Sequence, residues 1–302
     1  MKLIVTKEDK LLEYLYNNLD MPKRRVKQYL THGSIYVNNS KVTQFDYKLL
    51  PGMNIVIDTD NKNKKTLPFD ILFEDEHIIV VNKPSGLLTI ATNKEKEKTL
   101  YHIVREYLIS KDKYSKVFIV HRLDKDTSGI VLLAKDEKTK NKLQENWNEF
   151  VSLREYVAVV HGVLKNKQDT IIQHLKETNT NLVYVSKDGK ESITHYKVIK
   201  ENNNYSMLNI NIETGRKNQI RVAFSTLKHP IVGDKKYGEK DNENRLYLHA
   251  NRLKIYYPEI KKEILFETAV PNEFKKIMSR WVYENTKTIY TPTYLYNLYK
   301  WM

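Results

Sequence analysis

The side chains best suited to chemistry gather in one short polar segment, His121-Arg122-Leu123-Asp124-Lys125-Asp126-Thr127-Ser128-Gly129. Two apolar, β-branched runs flank it, Val117 to Val120 and Ile130 to Ala134, with the length and composition of buried strands. Ser128-Gly129 closes the segment as a turn signal. Charges set between two buried strands lie at the rim of a core, where a carboxylate is held rigidly and still reaches a ligand. Two readings of the segment compete. In one, Arg122 and Lys125 pair with Asp124 and Asp126 in a solvated turn. In the other, a single carboxylate pinned by a cation serves as nucleophile or base. The residue types alone leave both open.

Composition narrows the field. The chain has 302 residues, enough for one large and one small domain, and a net charge of +14. Such an excess draws a protein to a polyanion, although a Lys- and Asn-rich proteome would also produce it. There is no cysteine, hence no disulfide, thiolate metal site or thiol nucleophile. The nine His show no Glu-bracketed i, i+4 spacing, and no Gly-rich phosphate loop occurs, so no cofactor or metal is expected. The first ten residues carry too short an apolar run for a signal peptide, and no stretch approaches a membrane span. The expectation is a soluble, cytoplasmic protein.

The elements that must position these residues follow in order. Leu11, Leu12, Leu15 and Leu19 repeat at helical spacing, and a second helix is expected to open at Pro22. That helix turns Lys23, Arg24, Arg25 and Lys27 outward and Val26, Tyr29 and Leu30 inward, and Gly33 ends it. Short strands are expected at Ser34 to Val37, Ser40 to Val42 and Met53 to Ile57. Residues 1–66 hold 12 basic and 7 acidic residues, a net of +5. Cations at a helix start oppose the helix dipole, a cost that a phosphate site would tolerate.

Residues 59–68 read as a polar linker. Phe69 to Phe73 and His77 to Val81 then form two strands, and Thr99 to Leu108 an amphipathic helix. A single helix is expected to carry Leu143, Trp147 and Phe150 into the core. Arg154 to Gly162 reads as a strand, as do runs around Leu182 to Val185, Ile193 to Ile199 and Tyr205 to Ile212.

His121 to Gly129 resembles the signature of the RluA-type pseudouridine synthases, which isomerise uridine in ribosomal and transfer RNA. Three further blocks fit that family. Arg154-Glu155-Tyr156-Val157-Ala158 resembles the strand bearing its active-site tyrosine. Glu213-Thr214-Gly215-Arg216-Lys217-Asn218-Gln219-Ile220-Arg221 resembles its third motif. His229 to Asp234, Tyr237-Gly238 and Leu246 to Ala250 also match. The N-terminal helices with His32 to Asn39 and Pro51-Gly52 resemble an S4 RNA-binding domain.

The resemblance implies an α+β enzyme: an S4-like αα-β domain over 1–58, the linker, and a catalytic domain over 69–282 with a mixed, mainly antiparallel sheet. Residues 283–302 form a tail without counterpart. It implies Asp124 as the catalytic carboxylate, Arg221 as its ion-pair partner, and Tyr156 as the ring that stacks on the base and takes the C5 proton. Arg122, Arg216 and Leu248 would contact substrate, with Lys23, Arg24, Arg25 and Lys27 holding RNA. No metal or cofactor is implied. The expected partner is RNA, large-subunit ribosomal RNA first and transfer RNA as the alternative, and a monomer is expected. Three positions depart from the family: Arg154 stands where Lys is usual, and Asn218 and Ala223 where His is frequent. The last two are expected to bear on packing or RNA contacts, and they are the only features favouring a non-catalytic RNA-binding assembly factor. A glycosidase would need a second positioned carboxylate, which no motif supplies.

Overall fold

Apolar periodicity builds two separate cores, and the chain divides after Leu67. The computed structural model describes residues 1–31, 33–38, 40–58, 67–92, 95–238 and 241–287. Of the linker expected at 59–68, residues 59–66 lie outside them, as do residues 288–302 of the tail expected at 283–302, His32 and Asn39.

In the first unit, β1 (Lys2–Ile4) and β2 (Asp9–Lys10) precede helices α1 (Leu11–Asn18) and α2 (Lys23–Thr31). Then come β3 (Ile35–Val37), β4 (Ser40–Lys41), β5 (Lys48–Leu49) and β6 (Asn54–Ile57). An antiparallel sheet runs β1-β6-β3-β4, and β2 pairs with β5. Leu11, Leu15, Val26 and Leu30 pack on Ile35, Ile55 and Ile57. Pro22 stands just before α2 rather than inside it, its carbonyl accepting from Arg25 and Val26 N–H. Strand β1 is not foreseen by the sequence, because three residues carry too little pattern to be recognised alone.

The second unit is organised on a large mixed sheet. Its elements are β7 (Ile71–Glu74), β8 (Ile78–Lys83), α3 (Leu100–Lys111), β9 (Phe118–Ile119), β10 (Ser128–Ala134), α4 (Glu137–Glu145), α5 (Trp147–Phe150) and β11 (Val151–His161). They continue with β12 (Gln168–Glu177), β13 (Val183–Val185), β14 (Lys190–Glu201), β15 (Tyr205–Ile212), α6 (Gln219–Thr226), β16 (Leu248–Tyr257), β17 (Lys262–Glu267) and α7 (Asn272–Lys287). The order is β13-β12-β14-β15-β11-β16-β10-β8-β7, with β17 on β16 and β9 on β10. Helix α7 runs through the boundary expected at 282.

Strands β8 and β10 are buried almost throughout because both their faces are covered. Ile79, Val81, Val131 and Leu133 meet Leu100, Val104 and Leu108 of α3, while Ile78, Val80, Ile130 and Leu132 meet Leu143 of α4 and the β16–β17 pair. Alternation along a strand assigns successive residues to opposite cores. Phe224 of α6 and Phe274, Ile277 and Met278 of α7 cover β11, β14 and β15.

All these pairings are antiparallel except β10 with β16, which meet in parallel at Ser128↔His249 and Gly129↔Ala250. Gly129 has φ of 119°, and a Cβ there would stand 2.1 Å from the Ala250 carbonyl oxygen, so only glycine permits the approach. Ser128 Oγ meets His249 Nδ1 at 2.8 Å and accepts from Arg245 Nη2 at 2.6 Å across the same join.

The single helix expected over Leu143 to Phe150 is two. Asn146 Nδ2 donates back to the Lys142 carbonyl (2.9 Å), and its backbone leaves the helical region. Short polar side chains compete with helix continuation in this way.

Candidate active site

Residues 120–127 connect β9 to β10, as the two apolar runs require. What fixes this loop is its own backbone. Leu123 O accepts from Thr89 Oγ1 (2.7 Å), and Asp126 O from Ser85 Oγ (2.6 Å). Lys125 O accepts from Gly86 N (2.9 Å) and from the ammonium of Lys83 (3.0 Å). Gln144 Nε2 reaches the carbonyls of Ile119 and Val120. His121, against Trp147, accepts from Leu132 N–H through Nε2 (3.0 Å). Burial, and to a lesser extent Arg154, pulls the imidazole down to about 4, so it is a neutral structural acceptor.

With the carbonyls satisfied from below, the side chains of the loop are free to face outward. Among the described residues, neither Asp124 nor Asp126 makes an ion pair with Arg122 or Lys125, which removes the solvated-turn reading. Asp124 instead faces a cleft of about 480 Å³. Burial pushes its carboxyl above the ordinary range, opposed by the charges of Arg221, Arg122, Lys217 and Lys236.

The opposite wall comes from β11, β16 and the turn before α6. Tyr156 and Leu248 line the cleft, Leu248 being buried. Beside Tyr156 the β11–β16 register slips between Glu155↔Arg252 and Tyr156↔Ala250, a bulge of the kind that re-aims a side chain. Burial, reinforced by Asp124, pushes the Tyr156 phenol up to about 12 against the pull of Arg154, so it is neutral at rest. Arg154 lines the same cleft and donates to the Glu213 carbonyl, tying β11 to the turn. Gln219 fixes that turn from inside: its Oε1 accepts from Thr214 Oγ1 and Arg216 N, and its Nε2 donates to Ile193 O and Thr194 Oγ1.

Two expectations are corrected here. Arg221 does not ion-pair directly with Asp124: its buried guanidinium forms a fork with Asp234, Nε to Oδ2 at 2.8 Å and Nη2 to Oδ1 at 2.7 Å. Planar guanidinium matches a carboxylate best in that geometry, and Arg221 acts on Asp124 only through space. The group in contact with Asp124 is Asn218, expected to concern packing or RNA. One atom of its amide lies 2.7 Å from Asp124 Oδ2 and the other 2.9 Å from Tyr237 Oη and 3.3 Å from Lys236 Nζ; a carboxylate takes only a donor and an ammonium only an acceptor, which assigns Nδ2 to the Asp124 side and Oδ1 to the other. Asn218 has φ of 53°, a left-handed conformation that Asn tolerates, and this turns the amide toward the loop.

The structure thus brings together Asp124, Arg122, Tyr156, Arg216, Arg221 and Leu248 around one cleft. Arg216 is exposed there and donates to Glu191 O. Trp147, expected in the core, also lines the cleft. Sequence reasoning assigns no role to Lys83, whose partners are carbonyls and leave no side-chain pattern. Lys23, Arg24, Arg25 and Lys27 belong to the first unit, all exposed on α2. Lys23, Arg24 and Lys27 border a shallow groove with Tyr16, Gln28 and Thr31.

Residues 77–226 match the family described as RNA pseudouridylate synthase. An uncharacterized RNA pseudouridine synthase of Mycoplasma pneumoniae is 30% identical over 287 residues, covering 89% of this chain and 92% of that protein. Ribosomal large subunit pseudouridine synthase D of Buchnera aphidicola subsp. Acyrthosiphon pisum is 33% identical, covering 84% of this chain and 88% of its own. Among solved structures, human RNA pseudouridylate synthase domain containing 4 superposes with a TM-score of 0.59 at 22% identity, over 70% of this chain and 92% of that one. That likeness concerns the fold.

Proposed function

The chain belongs to the RNA pseudouridine synthase family, and from that premise we propose that Asp124 is the carboxylate that starts the isomerisation, within large-subunit ribosomal RNA. The observation that carries this is the position of Asp124: facing a cleft, in contact with one amide donor, ringed by cations and opposed by Tyr156 and Leu248.

The reaction breaks the bond from uracil N1 to ribose C1′, turns the base, and joins C1′ to C5. The C5 proton leaves and N1 gains one, so atoms balance without a co-substrate. Asp124 acts at the ribose, either attacking C1′ or removing the 2′ proton. Its cationic surroundings favour the ionised form that both routes require, against the desolvation that opposes it. A paired uridine must first leave its helix, and exposed Arg122 at the cleft is placed to hold the displaced backbone. Leu248 supplies an apolar floor and Tyr156 a ring for the base. Because the phenol is neutral at rest, Tyr156 takes the C5 proton only by passing its own proton on.

The first unit is read as an S4-like RNA-binding module, supported by the four exposed cations along α2. The ribosomal target is supported by relatives named large-subunit synthases C and D. The test is pseudouridine mapping of total RNA from cells lacking the gene, complemented with wild type or Asp124→Asn. Loss of a defined large-subunit site, restored by wild type alone, is expected. Restoration by Asp124→Asn would refute the assignment, and a missing site in transfer RNA would move the target.

A further inference from the structure

We propose that Asn218 is a positioning residue for Asp124, a neutral donor held in one orientation by Tyr237 and Lys236 so that Asp124 stays ionised with Oδ2 fixed. This rests on reading Asp124 as the catalytic carboxylate.

The orientation follows from proton accounting. Val183 N–H donates to Tyr237 Oη at 2.9 Å, which leaves the phenol hydrogen to point at Asn218. Lys236 Nζ, which can only donate, approaches the same amide atom. Two donors on one side require the amide oxygen there, and the NH₂ then faces Asp124. Asn218 is buried, so water does not compete for the bond. The backbone of β13, the Tyr237 hydroxyl, the Asn218 amide and the Asp124 carboxylate form one continuous relay. Arg221 commits Nε and Nη2 to Asp234, and its Nη1 lies 3.4 Å from the amide atom facing Asp124, a longer approach than the 2.7 Å contact with Asp124 Oδ2 that sets the orientation.

A hydrogen bond to a carboxylate favours its charged form. Removing this one makes Asp124 harder to ionise, so activity falls most at low pH. Other charged or titratable groups face Asp124 from the neighbouring elements: Arg122 on its loop, Lys83 at the end of β8, Tyr156 on β11, Lys217 and Arg221 around α6, and Lys236 beyond it. Substitutions at Asn218 and Tyr237 remove none of these groups, though both residues also touch Arg221 and Lys236.

The experiment is the pH profile of the single-turnover rate on a ribosomal RNA fragment for wild type, Asn218→Gly, Asn218→Asp, Tyr237→Phe and Asp124→Asn. Glycine keeps the left-handed backbone while removing the amide. Its acid limb is expected to move up by about one to two pH units, with the rate recovering at higher pH. Asn218→Asp, which sets a carboxylate against Asp124, should move it further. Tyr237→Phe, which frees the amide to turn, should move it less. RNA affinity should stay within about twofold of wild type in all of them. A uniform rate loss at every pH, or an unchanged limb in both Asn218 variants, would overturn the proposal. Activity in Asp124→Asn would instead overturn the reading of Asp124 on which it depends.

Discussion

Replacing Lys83 by methionine isolates the group that holds the catalytic loop from below. Lys83 is the last residue of β8, fully buried, and its ammonium donates to the carbonyls of Pro84 (3.0 Å), Leu87 (2.7 Å) and Lys125 (3.0 Å). Methionine keeps the stem and loses all three donors. Lys125 O retains Gly86 N, so two carbonyls are left without a partner among the described residues, at about 1–3 kcal/mol each. Against that stands the cost of burying charge. Desolvation pulls Lys83 down from 10.5 to about 7, although Asp126 and Asp124 pull it back up.

The folded value lies below the unfolded one, so between them the unfolded chain binds more protons and wild-type stability rises with pH. Above 10.5 the contribution is complete, and it is lost as pH falls through about 7. One proton at about 1.4 kcal/mol per pH unit gives a gain of about 2–3 kcal/mol between roughly pH 7 and pH 9. Lys83→Met lacks this gain. The gap between wild type and variant should therefore widen by about that amount over the interval. Urea unfolding at the two pH values measures it, followed by tryptophan fluorescence, since all three tryptophans lie beyond residue 67 and report on the second unit alone. Parallel pH curves for the two proteins would refute the reasoning.

Two other expectations concern the walls and the first unit. Tyr156→Phe keeps the ring and removes the hydroxyl, so RNA affinity should hold while the single-turnover rate falls by about 10²–10⁴-fold, the range for a missing acid–base group; an unchanged rate would leave Tyr156 as a stacking surface only. Converting Lys23, Arg24, Arg25 and Lys27 together to Gln should weaken RNA binding and flatten its dependence on salt, by about 0.7 in the log–log slope for each phosphate no longer neutralised on single-stranded RNA. An unchanged slope in filter binding would remove α2 from the RNA interface.

The sequence is legible where pattern and physics coincide. Ile130 to Ala134 announces β10 because both its faces are buried, which leaves an uninterrupted apolar run, whereas Val117 to Val120 yields only the two half-buried residues of β9. Helix α2 is legible from its polar and apolar faces. Strand β12 is not, since only Ile171 and Leu175 of its ten residues are buried and the pattern is diluted by polar positions. The Arg221–Asp234 fork and the Asn218–Asp124 bond stay hidden for another reason. Both are choices between partners of similar chemistry, settled by where the turn before α6 points its side chains. The substitution of Asn for His at 218 is visible as a departure, yet its meaning depends on a loop far away in the chain.

The single parallel join between β10 and β16 has a consequence for how the reaction centre keeps its dimensions. The carboxylate is carried by the part of the sheet built from β7 to β10, and the facing ring and floor by the part built from β11 to β16. Among the described residues, two backbone residue pairs and one Arg–Ser–His rivet join those parts near the site, beside the Tyr257–Asp75 hydrogen bond and the Phe73–Phe266 ring contact farther along the sheet. The gap a nucleoside must fit is therefore gauged at a place that touches no substrate. A side chain added at Gly129 would change the caliper rather than the tool, shifting turnover while every reacting group remained in place.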